Sequence, residues 1–207
     1  GLMVEVCDAV EYAHRSGVIH RDLKPANILV EDSSTGPRPR ILDFGVAKLT
    51  GRDVQLTTMH TEAGQIIGTL SYMSPEQVAG DPSRLDIRTD VHALGVILFE
   101  LLTGRRLFQV AGRPLPEAAR ILSENEPTPL GAFDRAWRGD LDTIVRRAVE
   151  KDPRRRYQSA GELGADLRRY LRDQPIRARP PSALYQISKF ARRHKAIVGG
   201  TLATIIT

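Results

Sequence analysis

The sequence predicts a mostly α protein with a small β component, an α+β chain whose core is helical. Residues 90–103 form the strongest helical signal, with Val91, Leu94, Ile97, Leu98, Leu101 and Leu102 giving a broad apolar face. Shorter stretches with helical spacing surround it, at residues 2–16, 115–125, 141–150 and 159–171. Only Ile28-Leu29-Val30 and Arg40-Ile41-Leu42 read as β, and they flank a loop rich in Ser, Gly and Pro.

In chain order, Val6, Val10 and Ala13 recur at spacings of four and three, so residues 2–16 form a helix that Gly17 ends. A lone Cys7 on that helix excludes an internal disulfide framework and reads as a small buried hydrophobe. The two β-like runs pair as a hairpin, with 31–39 as a slightly long loop. Residues 46–72 have no period, are rich in Thr and Gly, and exceed what a passive connection needs. The helix of 90–103 opens at Asp90 and stops at Gly104, while Gly95 and Ala93 admit a neighbouring backbone. Pro114, Pro127 and Pro129 bound the next helix, Asp140 caps the one after, and Ser159-Ala160-Gly161-Glu162 reads as a capping box. Beyond Asp173, Pro175, Pro180 and Pro181 alternate with arginines in an extended linker, and 185–191 reads as a short helix.

The formal net charge of +5 is unevenly placed. Residues 151–195 hold 13 Lys+Arg against 4 Asp+Glu, which leaves the remainder mildly acidic. Such a basic arm suits nucleic acid or an anionic membrane surface. Residues 196–207 carry no charge, include Gly199 and Gly200, and follow Arg192-Arg193-His194-Lys195. That order favours the membrane: 196–207 is expected to be the start of a transmembrane helix, with the basic cluster holding the body in the cytoplasm. No nucleic-acid partner is expected.

The chemistry concentrates in His20-Arg21-Asp22-Leu23-Lys24-Pro25-Ala26-Asn27 and in Asp43-Phe44-Gly45. Two carboxylates and a carboxamide are the hard oxygen donors that suit Mg2+ bound largely through phosphates. Taken singly, each is an ordinary capping or surface residue. Joined by a hairpin that brings Asn27 beside Asp43, they form a phosphoryl-transfer constellation.

These motifs resemble the catalytic loop and metal motif of eukaryotic-type (Hanks-type) serine/threonine protein kinases, in particular the bacterial receptor-like group. The resemblance runs from residue 1 to about 172 and continues in Tyr72-Met73-Ser74-Pro75-Glu76-Gln77, where Ser74 replaces the usual alanine of Ala-Pro-Glu. It implies a kinase-like C-lobe (1–172), a basic juxtamembrane linker (173–195) and a truncated membrane helix (196–207). Asp22 then takes the catalytic-base position and Lys24 stabilises the transferring phosphate. Asn27 and Asp43 hold two Mg2+, with Mn2+ as an alternative, against ATP. The Leu-Lys-Pro-Ala-Asn wording and Thr69, which would bond Asp22 and Lys24, imply serine/threonine rather than tyrosine substrates. Arg21 implies regulation through phosphorylated Thr57, Thr58 or Thr61. His20 and Phe44 would pack beneath the site, and Gly45 would free the turn after Asp43. Glu76 would pair with Arg156, and Asp90 would support the catalytic loop. His92 stands where the family usually has Tyr or Trp and reads as a packing or surface residue rather than a catalytic one.

No glycine-rich phosphate loop, strand lysine or partner glutamate occurs in the sequence. The resemblance therefore implies an N-lobe before Gly1, without which the chain would be inactive. Its partners would be proteins presenting Ser or Thr, and a second copy for trans-autophosphorylation. Two alternatives remain: a pseudokinase acting as scaffold, and a small-molecule phosphotransferase of kinase-like fold. The latter tends to lack an activation segment and a Pro-Glu motif.

Overall fold

The computed structural model describes residues 1–34, 36–44, 70–80, 82–180, 182, 185–187 and 189–190. Gly45, Thr57, Thr58, Thr61, Thr69 and the uncharged run 196–207 lie outside them. Six helices and one two-stranded sheet make up the regular structure among the described residues, joined by short 3-10 turns.

Helix α1 (Leu2–Arg15) buries Val6, Cys7 and Val10, the stripe its spacing predicts. The antiparallel hairpin β1 (Ile28–Ser33) and β2 (Gly36–Ile41) follows the catalytic loop. Its strands are longer and its turn tighter than the sequence suggests, because pairing continues to Ser33 opposite Gly36. Pro37 and Pro39 looked like loop residues. They stand two apart on β2, so both can occupy positions whose missing N–H is never asked to bridge to β1.

A single-turn helix α2 (Pro75–Val78) precedes the long helix α3 (Ile87–Thr103). Asp90 does not open α3. Asp86 does, accepting the Arg88 N–H at 2.8 Å, and Asp90 sits one turn inside, buried. Every residue from Thr89 to Phe99 is buried, which makes α3 the axis of the molecule. It ends at Gly104, whose left-handed φ of 66° any side chain would resist. Helices α4 (Leu115–Glu124), α5 (Asp140–Ala148) and α6 (Ala160–Leu171) complete the bundle. At Gly95, an added Cβ would lie 2.7 Å from Ala148 Cβ, so glycine lets α3 and the end of α5 touch. Against α1, α6 approaches closely at Gly164 and donates a hydrogen bond from Gly161 N–H to Glu11 at 2.9 Å. Burial there pushes the Cys7 thiol up to about 12, consistent with an inert packing role.

Two caps differ from expectation. Asp140 is the first residue of α5, not its cap, and its side chain turns elsewhere. Ser159 does cap α6, accepting the Glu162 N–H at 3.2 Å, but Glu162 reaches back to Gln158 N–H rather than to Ser159.

The residues after α6 also depart from the extended linker expected from Asp173. Asp166 accepts the backbone N–H groups of Arg177 and Ala178, each at 2.8 Å, and the Tyr157 hydroxyl at 3.0 Å. Asp140 accepts the Tyr185 hydroxyl at 2.9 Å and lies 2.8 Å from Lys189 Nζ. The Tyr185 oxygen in turn accepts Ile176 N–H. Carboxylates on α5 and α6 thus hold Ile176, Arg177, Ala178, Tyr185 and Lys189 as points of a strap, and part of the basic excess is answered within the molecule. Among the described residues, no helix is long and apolar enough to cross a membrane.

Candidate active site

The catalytic loop turns on a residue in an unfavourable conformation. Arg21 has φ 64°, a region that residues other than glycine rarely enter. What holds it there is Asp90 on α3, which accepts both the His20 N–H and the Arg21 N–H at 2.8 Å. His14, at the end of α1, adds a third contact to the same carboxylate at 2.7 Å. A buried carboxylate with three donors is well satisfied, and it fixes the loop entering Asp22.

His20 does more than pack. Its Nε2 donates to the Leu42 carbonyl at 2.8 Å while its Nδ1 accepts the Asp22 N–H at 3.3 Å, an arrangement that suits one neutral tautomer. Its ring also meets Phe44 at 5.1 Å between centroids. One imidazole therefore joins the loop carrying Asp22 to the strand end carrying Asp43.

Asp22 is partly exposed, and Lys24 Nζ lies 3.1 Å from its carboxylate. Asn27, buried, donates its side-chain amide to the Asp22 carbonyl at 2.9 Å, which turns its oxygen outward. Leu42 N–H bonds the Asn27 carbonyl at 2.9 Å, so the hairpin register sets Asp43 next to Asn27. Asp43 is exposed and left-handed, with φ 54°. One amide oxygen and one carboxylate side by side, with a second carboxylate on the adjoining loop, fit a hard divalent cation shared with phosphate oxygens. No cluster of three His, Cys, Asp or Glu side chains that could hold a metal ion occurs among the described residues.

Glu76 and Arg156 form a bidentate pair at 2.6 and 2.8 Å, both buried. Arg156 also donates to the carbonyls of Glu150, Arg88 and Lys151, and Thr89 donates to Glu76. Burial raises the Glu76 carboxyl, but the hydrogen bonds and charge of Arg156 outweigh it and hold the group below its ordinary value. Arg154 and Arg155 are solvent-facing, as a basic corner should be.

Three polar residues near the site were missed: His14, Gln77 and Thr89. His14 had a signal, since it continues the Val6–Val10 stripe one step of four further. Gln77 and Thr89 had none beyond proximity to Glu76 and Asp90. Ser74, read as a small residue in place of alanine, uses its hydroxyl to cap α2. His92 is buried, with neither ring nitrogen hydrogen-bonded. Burial first, then the charges of Arg156 and Lys151, keep it well below the usual histidine range and so neutral.

This fold and loop geometry accord with the comparisons. Residues 1–163 match the protein kinase domain, and the chain belongs to the protein kinase family. It is 37% identical over 177 residues to the serine/threonine-protein kinase PknB of Mycobacterium leprae, and 38% identical over 177 residues to the probable serine/threonine-protein kinase SCO3848 of Streptomyces coelicolor. Each alignment covers 86% of this chain but only 27% and 25% of those proteins, so the chain spans about a quarter of their length. Among solved structures, a double mutant of the Mycobacterium tuberculosis PknI kinase domain matches with a TM-score of 0.57 and 25% identity. That match covers 81% of this chain and 53% of the PknI kinase-domain chain.

Proposed function

We propose that the chain is the C-lobe of a protein kinase that phosphorylates serine and threonine hydroxyls of other proteins, using ATP and Mg2+ or Mn2+. The observation that carries this is the tethering of Asp22, Lys24, Asn27 and Asp43 into one site by His20, Asp90 and the hairpin register. Magnesium-bound ATP supplies the phosphoryl group and neutralises its charge. Asp22 orients the substrate hydroxyl and takes its proton as the new O–P bond forms and the bond to the leaving ADP oxygen breaks. Lys24, within reach of Asp22, balances charge on the phosphoryl oxygens. Asn27 and Asp43 would hold the metal, and the Thr69 hydroxyl would bond Asp22 and Lys24. A glycine-rich loop and an ATP-contacting lysine would have to be supplied to this site for phosphate transfer.

Regulation follows from Arg21, next to the catalytic acid. A phosphate on Thr57, Thr58 or Thr61 would pair with it and order the segment between Gly45 and Gly68, added by a second copy in trans. The basic cluster before the uncharged run 196–207 supports a single-pass membrane protein with its kinase body in the cytoplasm. The test is autophosphorylation of the full-length protein beside Asp22→Asn. A general base accounts for roughly 10²–10⁴ in rate, so the variant should lose at least about 100-fold. Equal activity would refute the assignment. An inactive wild type with ATP still bound would favour the scaffold alternative.

A further inference from the structure

We propose that Gln77 is a positioning residue that locks the left-handed Arg21 backbone and so ties the segment ending at Ser74–Glu76 to the catalytic acid. The functional half of this rests on the assignment of Asp22 as catalytic acid above. Arg21 at φ 64° is strained, and such a conformation persists only where its surroundings over-determine it. Its N–H is fixed by Asp90 at 2.8 Å. Its carbonyl is fixed from the other side, by Gln77 Nε2 at 2.6 Å.

The Gln77 carboxamide is used at both ends. Its Oε1 accepts the Ser74 N–H at 3.0 Å and lies 3.3 Å from the Ser74 hydroxyl, which in turn accepts the Gln77 backbone N–H at 3.4 Å. Only a carboxamide meets both demands, an acceptor toward Ser74 and a donor toward Arg21. A small cavity of about 10 Å³ lies here, lined by Arg21, Asp22, Tyr72, Gln77 and Asp90 among others, with room for at most a single water. Gln77 thus directly bridges the two segments. If residues 70–77 move, the Arg21 carbonyl loses its donor, the strained backbone relaxes, and Asp22, the next residue, turns with it. The bond transmits the state of the activation segment to the acid through one peptide group.

The experiment compares full-length wild type with Gln77→Glu and Ser74→Ala. Glutamate keeps the acceptor for Ser74 but faces the Arg21 carbonyl with a carboxylate, so it breaks the tie and spares the cap. Gln77→Glu should lower the thermal midpoint no more than Ser74→Ala does, speed hydrogen exchange of residues 20–24 roughly tenfold, the scale of one lost hydrogen bond, and lower kcat similarly with KM for ATP unchanged. Ser74→Ala loses the cap and keeps the tie. It should lower the midpoint while exchange at 20–24 and kcat stay at wild-type levels. Wild-type exchange at 20–24 in Gln77→Glu would overturn the proposal. So would a Ser74→Ala variant that reproduces the Gln77→Glu exchange pattern, since α2 stability would then be the cause. If wild type transfers no phosphate yet exchange in Gln77→Glu rises as expected, the kinase assignment fails and the Gln77 tie stands.

Discussion

Lys151 illustrates how a residue at a turn between helices acquires a titration of its own. Its Nζ donates to the Leu122 carbonyl at 2.5 Å and sits 4.1 Å from the Phe108 ring centroid. Burial lowers its pKa to about 8 from 10.5, with Arg156 adding to the effect and Glu126 opposing it. The unfolded chain therefore binds more protons than the folded one between those two values. Below about pH 8 the cost of burying the charge is fully present; from there to about 10.5 it is relieved, and stability rises with pH. Denaturant unfolding at pH 7 and 9.5, below the range where unfolded tyrosines ionise at about 10, should show wild type gaining on Lys151→Met. A constant difference between the two proteins would show that Lys151 keeps its ordinary pKa.

At the scale of elements, the contact of α3 with α5 depends on one missing methyl group. Gly95→Ala would place a Cβ 2.7 Å from Ala148 Cβ and 2.8 Å from Val149 Cγ1, in a region that is fully packed. Overpacking of this kind costs about 1–3 kcal/mol, and a lowered urea midpoint with an unchanged m-value would register it. A midpoint equal to wild type would mean the helices can separate without penalty. Helices and their faces were legible in the sequence because apolar spacing is a local signal, and α1 and α3 follow it closely. The hairpin was legible in existence but not in extent. Proline argues locally for a loop, whereas Pro37 and Pro39 are acceptable in a strand once pairing decides which N–H groups matter. Caps misled for a related reason: Asp90 and Asp140 sit near helix starts, yet each is committed to partners 39 to 76 residues away. In the site, the motif spacing identified Asp22, Asn27 and Asp43 because these residues are close in sequence or joined by a hairpin. Gln77 and His14 reach the catalytic loop only through tertiary packing, which spacing does not encode.

For the molecule as a whole, the strap changes where the folded body ends. The kinase family match stops at residue 163, but Ile176, Tyr185 and Lys189 are buried and tied to Asp140 and Asp166. A double-mutant cycle of Asp140→Asn with Lys189→Met should give a coupling of about 1–3 kcal/mol, as expected for charges in direct contact. Additive effects would show that the two groups do not communicate.

The same strap sets the route of mechanical load. A pull on the chain beyond residue 190 meets Lys189 first and enters the body at Asp140, the first residue of α5, with Tyr185 next in line. The C-terminal turn of α6 lies behind those attachments. Lys189 also lies 3.8 Å from Asp173, just past that turn, so force would reach α5 through the shorter contact and α6 through the longer one.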